Sequence, residues 1–570
     1  MREITTDVLV IGGGGAASRA AIAAYEAGAQ VLMVMKGNFG KSGTTCWPVA
    51  ELAGFNVPNG TNDPTDSPEV FFNDIMEAGL GMTDARLARI LAEEVEEAKN
   101  DLERWGMEFA RQGDRYLTIQ GCFSSRNRMH IIKRLGAPIV NALKSHIATT
   151  GIKIMESVMV TDLIVWDGEC VGAYGLAEDG EELLIKAKAT ILGTGGAGQL
   201  FKINLNPPDI TGDGHAMAFR AGAELLNMEF MQAGLGIIWP IKNIFRAATL
   251  FMAYPRMYDK NGASFLEKHL PEGVTPKQAM DEKTHYPFSC RDNSRYLEIS
   301  IMQEIRKGNM TEHRGVYFDF THVDEAEIAR RPEDDVLRKL WPVSIEWFLQ
   351  KGFDLRKTPI EVTIFGHAVN GGVRIDPHAE SSIKGLYAAG EVAAGPHGAD
   401  RLGGNMLTMS QVFGKRAGRF AAERAKALGE VMIPREVLEE KRARVAAQRA
   451  KQGEITPDQA IDDLQEVLWA NMLILKNAEI LGRIRVKLAE MKEVYRSGLK
   501  VRGDRDVRKA LEFEDLLTVA EIMTEAMDLR KESRGSHYRD DYPELNEAEW
   551  GQALSVTKSG DGFELKKVRL

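Results

Sequence analysis

DVLVIGGGGAASRAAIAAYEAGAQVLMVMK, residues 7–36, is the stretch of this sequence that decides the fold. Val8–Ile11 is a short apolar run that predicts a buried strand, and Val31–Met35 predicts a second one. Ala16–Ala27 between them consists mainly of small residues and predicts a helix, which a glycine ends. This order predicts a βαβ unit whose helix N-terminus faces a pyrophosphate group.

Small residues fill the G-x-G-x-x-G/A positions of this unit at Gly12, Gly14 and Ala17. Glycine has no Cβ, so the backbone can come close to the phosphates of a dinucleotide. The second strand ends in Met35 and Lys36, without the acidic residue that holds the ribose in NAD-binding proteins. The motif therefore predicts a dinucleotide site and weakens the case for NAD.

A second glycine-rich stretch, GLYAAGEVAAGPHGADRLGGNML at 385–407, supports the same site. Gly385–Ala389 predicts a buried strand that ends at Gly390, and Gly403–Gly404 predicts another tight turn. Glu391 stands where its carboxylate can accept hydrogen bonds from ribose hydroxyls. The two stretches are far apart in the chain, yet both fit one large cofactor.

Length and composition limit the class of protein. With 570 residues the chain is too long for one core, and we expect about two to four domains. Its net charge of −10 argues against nucleic-acid binding. No apolar run reaches the about 18 residues of a membrane-spanning helix. Because the first strand starts almost at once, we expect no signal peptide and a cytoplasmic protein.

The four cysteines, Cys46, Cys122, Cys170 and Cys290, lack the C-x-x-C spacing of metal or redox sites. No group of cysteines and histidines has zinc-ligand spacing either. We expect reduced and mostly buried thiols. The chain should therefore carry no iron–sulfur cluster of its own, and one-electron transfer would need a cluster held by another subunit.

Further motifs follow in a fixed order along nearly the whole chain. They are KSGTT (41–45), ILGTGGAG (191–198), TGDGHAMAFRAGAEL (211–225), GVYFDFTH (315–322), HAVNGGV (367–373) and ESRGSHYRDDYP (532–543). With the two glycine-rich stretches, they make the chain resemble the flavoprotein subunits of fumarate reductase and succinate dehydrogenase. That superfamily includes L-aspartate oxidase and the adenylylsulfate reductase alpha subunit.

The resemblance implies an α/β fold with a Rossmann-type FAD-binding domain, an inserted α+β capping domain and a C-terminal helical domain. The FAD-binding domain would be discontinuous, with a first part at 1–235 and a second part at 355–430. The capping domain at 236–354 would act as a lid that closes over the substrate and excludes water. Residues 431–570 would form a helical bundle and a tail, as their helical periodicity also indicates.

The resemblance also implies FAD, held without a covalent bond. Respiratory members attach the flavin through the His of a Ser-His-Thr sequence, and this chain has Ser42, Gly43 and Thr44 there. Glycine offers no nucleophile for such a bond. The residues predicted to contact FAD are Gly12, Gly14, Gly15, Ala16, Ala17, Met35, Lys36, Ser42, Gly43, Thr44, Thr45, Thr194, Gly195, Gly196, Asp213, Glu391, Asn405 and Leu407.

Two of the family's substrate-binding positions are kept. His367, in HAVNGG, matches the substrate histidine, and Arg401, in HGADRLGGN, matches the arginine that clamps the substrate carboxylate. Asp400 replaces the usual asparagine and is expected either to pair with Arg401 or to orient a different substrate group. The family's second histidine falls on Gly234, and we expect this change to leave room for something larger.

The family's proton-donating arginine lies in the lid, and its counterpart here falls within CRDNSRYLE at 290–298. The spacing between the Arg-Asp pair and the second arginine is one residue shorter here than in the family, so both arginines are candidates. Arg291 is the first candidate and Arg295 the second. An arginine acts as an acid only with a carboxylate and solvent beside it, and Asp292 is the nearest carboxylate in sequence. The predicted catalytic residues are therefore His367, Arg401, Arg291 and Arg295.

One basic cluster departs from the family. FSSRNRMHIIKR, residues 123–134, contains Arg126, Arg128, His130, Lys133 and Arg134. It predicts either a solvated face or a contact with an anionic substrate tail or an acidic partner surface.

The leading hypothesis is an FAD-dependent oxidoreductase that moves a hydride between flavin N5 and a C–C bond next to a carboxylate or a similar carbonyl. Its partners would be a small anionic organic substrate and an iron–sulfur subunit, through which it could associate with a membrane. Two alternatives stay open. One is an adenylylsulfate reductase-like or L-aspartate oxidase-like flavoenzyme, and the other is an FAD electron-transfer subunit without substrate turnover.

Overall fold

The computed structural model describes residues 1–47, 52–245, 250–560 and 562–570. The strands, in chain order, are β1 Arg2–Ile11, β2 Val31–Val34, β3 Leu52–Asn56, β4 Arg111–Gln112, β5 Arg115–Tyr116, β6 Thr118–Ile119, β7 Met129–Lys133, β8 Lys153–Met155, β9 Val158–Trp166, β10 Glu169–Ala177, β11 Glu182–Leu192, β12 Leu225–Leu226, β13 Met231–Trp239, β14 Asn243–Ile244, β15 Arg256–Tyr258, β16 Val316–Asp319, β17 Ile360–Val369, β18 Gly372–Arg374, β19 Leu386–Ala388, β20 Ala393–Ala394, β21 Ala553–Ser559 and β22 Gly562–Val568.

The helices, in chain order, are α1 Gly15–Glu26, α2 Pro68–Gly79, α3 Ala85–Arg104, α4 Ala137–Ile147, α5 Asp213–Arg220, α6 Leu266–His269, α7 Pro276–Asp281, α8 Arg295–Arg306, α9 Glu325–Arg330, α10 Val336–Gln350, α11 Asn405–Ala427, α12 Arg435–Arg449, α13 Pro457–Met472, α14 Ala478–Glu493, α15 Asp504–Leu529 and α16 Glu547–Trp550.

The largest sheet has the strand order β8-β2-β1-β11-β10-β9, and β19 also pairs with β11. β1 is parallel to β2 and β11, with Ile11 beside Val34 and Leu192. The predicted strand of the second glycine-rich stretch joins the same sheet as β19. Parallel strands end at one edge, so the loops that follow β1, β2, β11 and β19 meet there. Such an edge is where ligands bind in open α/β sheets.

Helix α1 packs closely on α11 because small residues lie at the contact. A Cβ on Gly418 of α11 would lie only 2.1 Å from the carbonyl oxygen of Ala20. The Gln411 amide of α11 donates to the carbonyl oxygen of Gly15 over 3.2 Å. The close approach therefore holds α11, which follows the loop that carries Arg401, against α1.

A second sheet, which we name the lid sheet, has the order β14-β13-β17-β16-β15. Its strand β13, Met231–Trp239, crosses the domain limit predicted at residue 235, and β17, Ile360–Val369, lies after the limit predicted at 355. The lid sheet thus includes residues from both sides of the predicted insertion. The domain limits themselves stay a prediction.

A third sheet brings distant parts of the chain together in the order β20-β18-β12-β21-β22. Leu225 of β12 pairs with Val556 of β21, and the hairpin β21–β22 forms the edge of the sheet. The Ser555 hydroxyl donates to the carboxylate of Glu224 over 2.5 Å. The tail predicted after the helical bundle is therefore a strand pair built into the body of the protein.

Helices α12 to α15 form the C-terminal bundle. Leu464, Leu468 and Met472 of α13 are fully buried, so this apolar stripe is core. Trp469 on the same helix donates from Nε1 to the carbonyl oxygen of Ile364 over 2.9 Å, which attaches the bundle to β17. The predicted fold class, a Rossmann-type α/β sheet with a further α+β part and a helical C-terminal part, is confirmed.

Candidate active site

A cavity of about 820 Å³ lies between the binding edge of the largest sheet and the lid sheet. His367 and Arg401 line it. It is also lined by most residues predicted to contact FAD, namely Gly12, Gly14, Gly15, Ala16, Met35, Lys36, Ser42, Gly43, Thr44, Thr45, Thr194, Gly195, Asp213, Glu391 and Leu407. The predicted cofactor and substrate residues therefore share one space.

Three predicted cofactor residues are not among the described residues of the cavity wall. Ala17 packs behind the wall, where a Cβ on Gly193 would lie 2.6 Å from the Ala17 Cβ. Gly196 leaves room for Glu391, whose Oε1 would lie 2.1 Å from a Cβ at that position. Asn405 is buried and accepts a 2.5 Å hydrogen bond from a neighbouring asparagine amide. Ala17, Gly196 and Asn405 therefore pack behind the residues that line the cavity.

The glycines at 12–15 form a bare cradle that fits a pyrophosphate group. Gly12 has a φ of +123°, and a Cβ there would lie 2.2 Å from the carbonyl oxygen of Gly193. The first backbone N–H groups of α1 lie at this point, and a helix N-terminus favours an anion. The residues of this chain therefore suit the dinucleotide part of FAD.

Replacing Gly12 by Ala is expected to abolish FAD binding. The new Cβ would overlap the Gly193 carbonyl group and push β1 away from β11 where both hold the cradle. The visible flavin absorbance per protein should fall to background in the purified variant. Gly482→Ala is the matched control, because a Cβ there meets no described atom within 4 Å. Normal flavin content in G12A would show that the cradle lies elsewhere.

Lys36 joins the nucleotide end of the cavity to the C-terminal bundle. Its Nζ donates to Thr211 over 2.6 Å and to Asp213 over 2.8 Å, and lies 2.9 Å from a carboxylate oxygen of Glu512 on α15. Burial lowers the pKa of Lys36, but the Asp213 and Glu512 carboxylates outweigh burial and raise this pKa above its ordinary value. The predicted cofactor residues Lys36 and Asp213 are thus already one ion pair.

Glu391 connects the cofactor side of the cavity with the substrate side. Its Oε1 accepts from the backbone N–H of Val369 over 3.1 Å, at the end of the strand that carries His367. Burial raises the pKa of Glu391 to about 7. Its contact with ribose hydroxyls stays a prediction.

His367 reaches the cavity from a β-bulge. On β13, Gln232 and Ala233 pair with the residues on either side of His367, so His367 is the extra residue of β17. The Asn206 amide donates to the His367 carbonyl oxygen over 3.0 Å and holds the bulge. A bulge turns a side chain away from the regular alternation of a strand. This one accounts for the position of the imidazole.

Each of the three nitrogens of the Arg401 guanidinium contacts a protein group. Nε donates to Gln232 Oε1 over 3.1 Å, and Nη1 donates to the carbonyl oxygen of Leu402 over 3.1 Å. Nη2 lies 3.3 Å from His367 Nε2. The residue is 7% exposed, and no described carboxylate forms an ion pair with it. A buried charge of this kind calls for an anionic partner.

His367 is a neutral imidazole. Burial, together with the Arg401 charge, lowers the pKa of His367 to about 3. Its Nε2 can then accept from Arg401 Nη2, and this contact assigns the ring proton to Nδ1. The pair therefore offers a cation and a neutral N–H donor to a ligand in the cavity.

Asp400 pairs with Arg291 and not with Arg401. Its Oδ2 accepts from Arg291 Nε over 2.9 Å. The expectation that Asp400 pairs with Arg401 is therefore wrong, since its carboxylate turns towards the lid. A role of Asp400 in orienting a substrate group stays a prediction. Asp292, which is nearest to Arg291 in sequence, lies instead 3.2 Å from His285 Nε2.

The two predicted proton donors are not among the described residues that line the cavity. Arg291 Nη2 donates to the carbonyl oxygens of Glu77 and Ala78 over 3.0 and 2.7 Å. Arg295 Nη1 donates to the carbonyl oxygen of Cys290 over 3.0 Å. The Arg291 guanidinium thus ties its segment to α2, whereas Arg295 bonds residues close to it in sequence. The role of both as proton donors stays a prediction.

The space expected beside Gly234 is filled. A Cβ on Gly234 would lie 2.9 Å from Cζ of Tyr286 and 3.1 Å from the Tyr286 carbonyl oxygen. The segment that carries Tyr286 runs along β13, because the Phe288 N–H donates to the Ala233 carbonyl oxygen over 2.7 Å. The expectation of a roomier pocket is therefore wrong, because a phenol ring occupies the place of the missing imidazole.

The basic cluster at 123–134 is only partly a solvated face. Arg128 is 2% exposed, and its guanidinium forms ion pairs with Asp66, at 2.7 Å, and with Asp74. The last two basic residues of the cluster are exposed. The interpretation as a solvated face is therefore wrong for Arg128, whose charge is used inside the protein.

Gln232, Tyr286 and Cys122 lie in or beside the cavity, although none of them was predicted as a site residue. Cys122 lines it, and its Sγ accepts from the Tyr286 backbone N–H over 3.3 Å. Burial raises the pKa of Cys122, so it stays a thiol. All four cysteines are free as expected, but Cys170 alone is fully buried. Gln232 stands in the run MEFMQAGLGIIWP at 228–240, two residues before Gly234, so a signal for it was present.

The four described ranges hold neither a metal cluster nor a membrane-spanning helix. Within them, no group of three or more His, Cys, Asp and Glu side chains is placed to hold a metal ion. Within the same ranges, no helix combines the length and the apolarity that crossing a membrane requires.

Two family models match this sequence. The model described as FAD binding domain matches residues 7–407, and the model described as fumarate reductase flavoprotein C-term matches residues 461–569. Together they span most of the largest sheet, the lid and the C-terminal bundle.

Whole proteins match over nearly their full length. A fumarate reductase (CoM/CoB) subunit of Methanothermobacter marburgensis is 34% identical over 97% of this chain and 97% of that protein. L-aspartate oxidase of Streptomyces coelicolor is 27% identical over 98% and 92% of the two chains. The structure of Mycobacterium smegmatis Sdh1 in complex with UQ1 superposes with a TM-score of 0.84 at 30% identity, over 100% of this chain and 94% of that one.

Proposed function

Because the chain belongs to the fumarate reductase and succinate dehydrogenase family of FAD-binding flavoproteins, we propose that it moves a hydride between FAD and a carbon–carbon bond of a short dicarboxylate. Fumarate and succinate represent this substrate class. The proposal is limited to small substrates, because Tyr286 fills the space beside Gly234.

The observation that carries the proposal is the charge of Arg401. Its guanidinium is buried in the cavity without an ion-pair partner among the described residues, and the neutral His367 lies 3.3 Å from it. A substrate carboxylate would supply the missing negative charge, and Arg can bind both of its oxygens. The same cavity contains the glycine cradle, so the bound anion would lie beside the cofactor.

Each residue then has a defined task. FAD, when bound, supplies or accepts the hydride. Arg401 would hold one carboxylate and draw electron density from the adjacent carbon–carbon bond. His367 would donate from Nδ1 to a substrate oxygen. Phe245 and Pro287 in the cavity wall would exclude water from the reacting bond.

The proton that accompanies the hydride needs an acidic group. We propose Arg291 ahead of Arg295, because Asp400 gives Arg291 the carboxylate partner that an arginine acid requires. Arg295 has no such ion pair within the described residues. To act, Arg291 would have to leave the carbonyl groups of α2 when the lid binds substrate.

FAD is expected to leave the protein intact when the protein is precipitated with acid. Gly43 stands where a covalent link would form, and glycine has no nucleophile. A Cβ at this position would meet no described atom within 4 Å. The supernatant should contain all of the flavin, which chromatography should identify as unmodified FAD. A yellow pellet that fluoresces on a denaturing gel would contradict the non-covalent attachment.

The electrons would pass to or from an iron–sulfur subunit. The relative in Methanothermobacter marburgensis is named as one subunit of a fumarate reductase, which supports a multi-subunit enzyme. Affinity purification from the native source should recover a second protein with iron and acid-labile sulfide in a fixed ratio to FAD. Recovery of the FAD chain alone, with full activity on a physiological donor, would exclude this partner.

Anaerobic reoxidation tests the proposed reaction without any partner. The FAD-loaded chain is reduced chemically and mixed with fumarate, which should return the oxidised flavin spectrum in proportion to the fumarate consumed. Rapid reoxidation by air, with L-aspartate as the reductant, would identify an oxidase instead. A stable adduct of sulfite with flavin N5, together with an active partner subunit, would favour a sulfur enzyme. A flavin that stays reduced with every substrate would identify an electron-transfer subunit.

A further inference from the structure

Tyr286 is the side chain that takes the place of the missing histidine. Its ring lines the cavity, and the ring centroid lies 5.6 Å from that of His367 at an interplanar angle of 89°. Its Cζ atom would be 2.9 Å from a Cβ at Gly234, so its hydroxyl end occupies the volume that an imidazole on Gly234 would need. The Tyr286 hydroxyl is buried and has no hydrogen-bond partner among the described residues.

We propose that the Tyr286 hydroxyl donates a hydrogen bond to the carboxylate of the substrate, in the place of the imidazole that Gly234 lacks. The inference rests on the proposed dicarboxylate reaction and adds to it a binding residue from the lid. The hydroxyl oxygen is covered in this structure, so the donation requires the lid to shift when the substrate binds. Arg401, His367 and Tyr286 would then offer one anion a cation and two neutral donors.

Backbone contacts fix the position of the phenol. The Tyr286 N–H donates to Cys122 Sγ over 3.3 Å, and Pro287 forms a bridge with Gly234 on β13. The ring therefore enters from the lid side at Gly234 of β13, where no side chain stands in its way. A side chain at position 234 would clash with the Tyr286 ring. The glycine at 234 and the tyrosine at 286 therefore form a matched pair.

The chemistry of the hydroxyl suits a donor. A buried O–H group without an acceptor is unfavourable, and a substrate oxygen would satisfy it. Burial raises the pKa of Tyr286 above its ordinary value, so the phenol stays protonated at neutral pH. The guanidinium of Arg401, which like the phenol lies beside His367, can then bind the charge while the phenol fixes the direction of the carboxylate.

Binding of malonate to the FAD-loaded protein tests the proposal without turnover. The dissociation constant is read from the change in the flavin spectrum. Tyr286→Phe should raise it about tenfold, which corresponds to about 1.4 kcal/mol, and should slow fumarate-driven reoxidation at low fumarate. Tyr254→Phe is the matched control, because that hydroxyl bonds Asp281 on an exposed part of the lid. It should leave malonate affinity unchanged.

A swap of the pair gives the sharper result. Gly234→His alone should weaken malonate binding, because its Cβ meets the Tyr286 ring. In the Tyr286→Ala background, where binding is also weak, the same change should restore part of the affinity. Flavin content reports whether each variant is folded.

The outcomes separate the inference from the function on which it rests. If the unchanged protein binds malonate and is reoxidised by fumarate, but Tyr286→Phe binds malonate equally well, Tyr286 is not a substrate ligand. If the unchanged protein neither binds malonate nor is reoxidised by fumarate, the proposed function fails.

Discussion

Arg401→Ala should slow flavin reoxidation by fumarate about 1,000-fold, or about 4 kcal/mol, while the protein keeps its FAD. The guanidinium is buried and fixed by Gln232 and by the Leu402 carbonyl, so no other described cation stands at this point of the cavity wall. Single-turnover mixing of the reduced variant with fumarate measures the rate, and the flavin spectrum measures occupancy.

Two further variants define what Arg401 does. Arg401→Lys keeps the positive charge but loses the planar guanidinium that can bind both carboxylate oxygens. Its reoxidation rate should be only about tenfold higher than that of Arg401→Ala. His367→Ala removes a neutral donor and should cost less than Arg401→Ala. Arg419→Ala on the exposed side of α11 is the control and should react normally. A normal rate in R401A would mean that the reaction takes place elsewhere or that the chain is an electron relay.

Arg128→Met should destabilise the protein by about 3–5 kcal/mol, because it leaves two buried carboxylates unpaired. Arg128 donates to Asp66 through Nε and Nη2, and to Asp74 and Ser124 through Nη1. The loss of stability is measured as a shift in the midpoint of urea denaturation, with the release of FAD as the signal.

The control for Arg128→Met is to remove the negative charges of Asp66 and Asp74 as well. Adding Asp66→Asn and Asp74→Asn to Arg128→Met removes both uncompensated charges and should restore part of the stability. Arg126→Met, whose partner Asp63 is partly exposed at 3.8 Å, should change the midpoint little. An unchanged midpoint in R128M would mean that water reaches Asp66 and Asp74.

The sequence predicts the parts of this fold that local chemistry determines. Gly12 and Gly14 can be identified because a tight glycine turn between an apolar strand and a helix of small residues is typical of a dinucleotide site. The strand at Leu386–Ala388 is likewise a local apolar run between glycines. The entry of β13 and β17 into one lid sheet could not be predicted, because it depends on pairing between segments more than a hundred residues apart in sequence.

The candidate site divides in the same way. Resemblance assigned His367 and Arg401, and both line the cavity. The expected space at Gly234 was wrong because a single sequence does not reveal that a ring from the lid approaches β13 there. The predicted partner of Asp400 was wrong for the same reason, because Arg291 reaches the Asp400 carboxylate only when the lid is folded against α2.

The strand pair β21–β22 also has a consequence for biosynthesis. Glu224 and Ser555 form their hydrogen bond across 331 residues, so β12 lacks its neighbour β21 until the ribosome has made almost all of the described chain. An unpaired strand edge is a template for pairing with other chains. A nascent chain would therefore lack β21 beside β12 throughout the translation of the lid and the bundle, but β12 is only two residues long, and so short an edge limits its pairing with other chains.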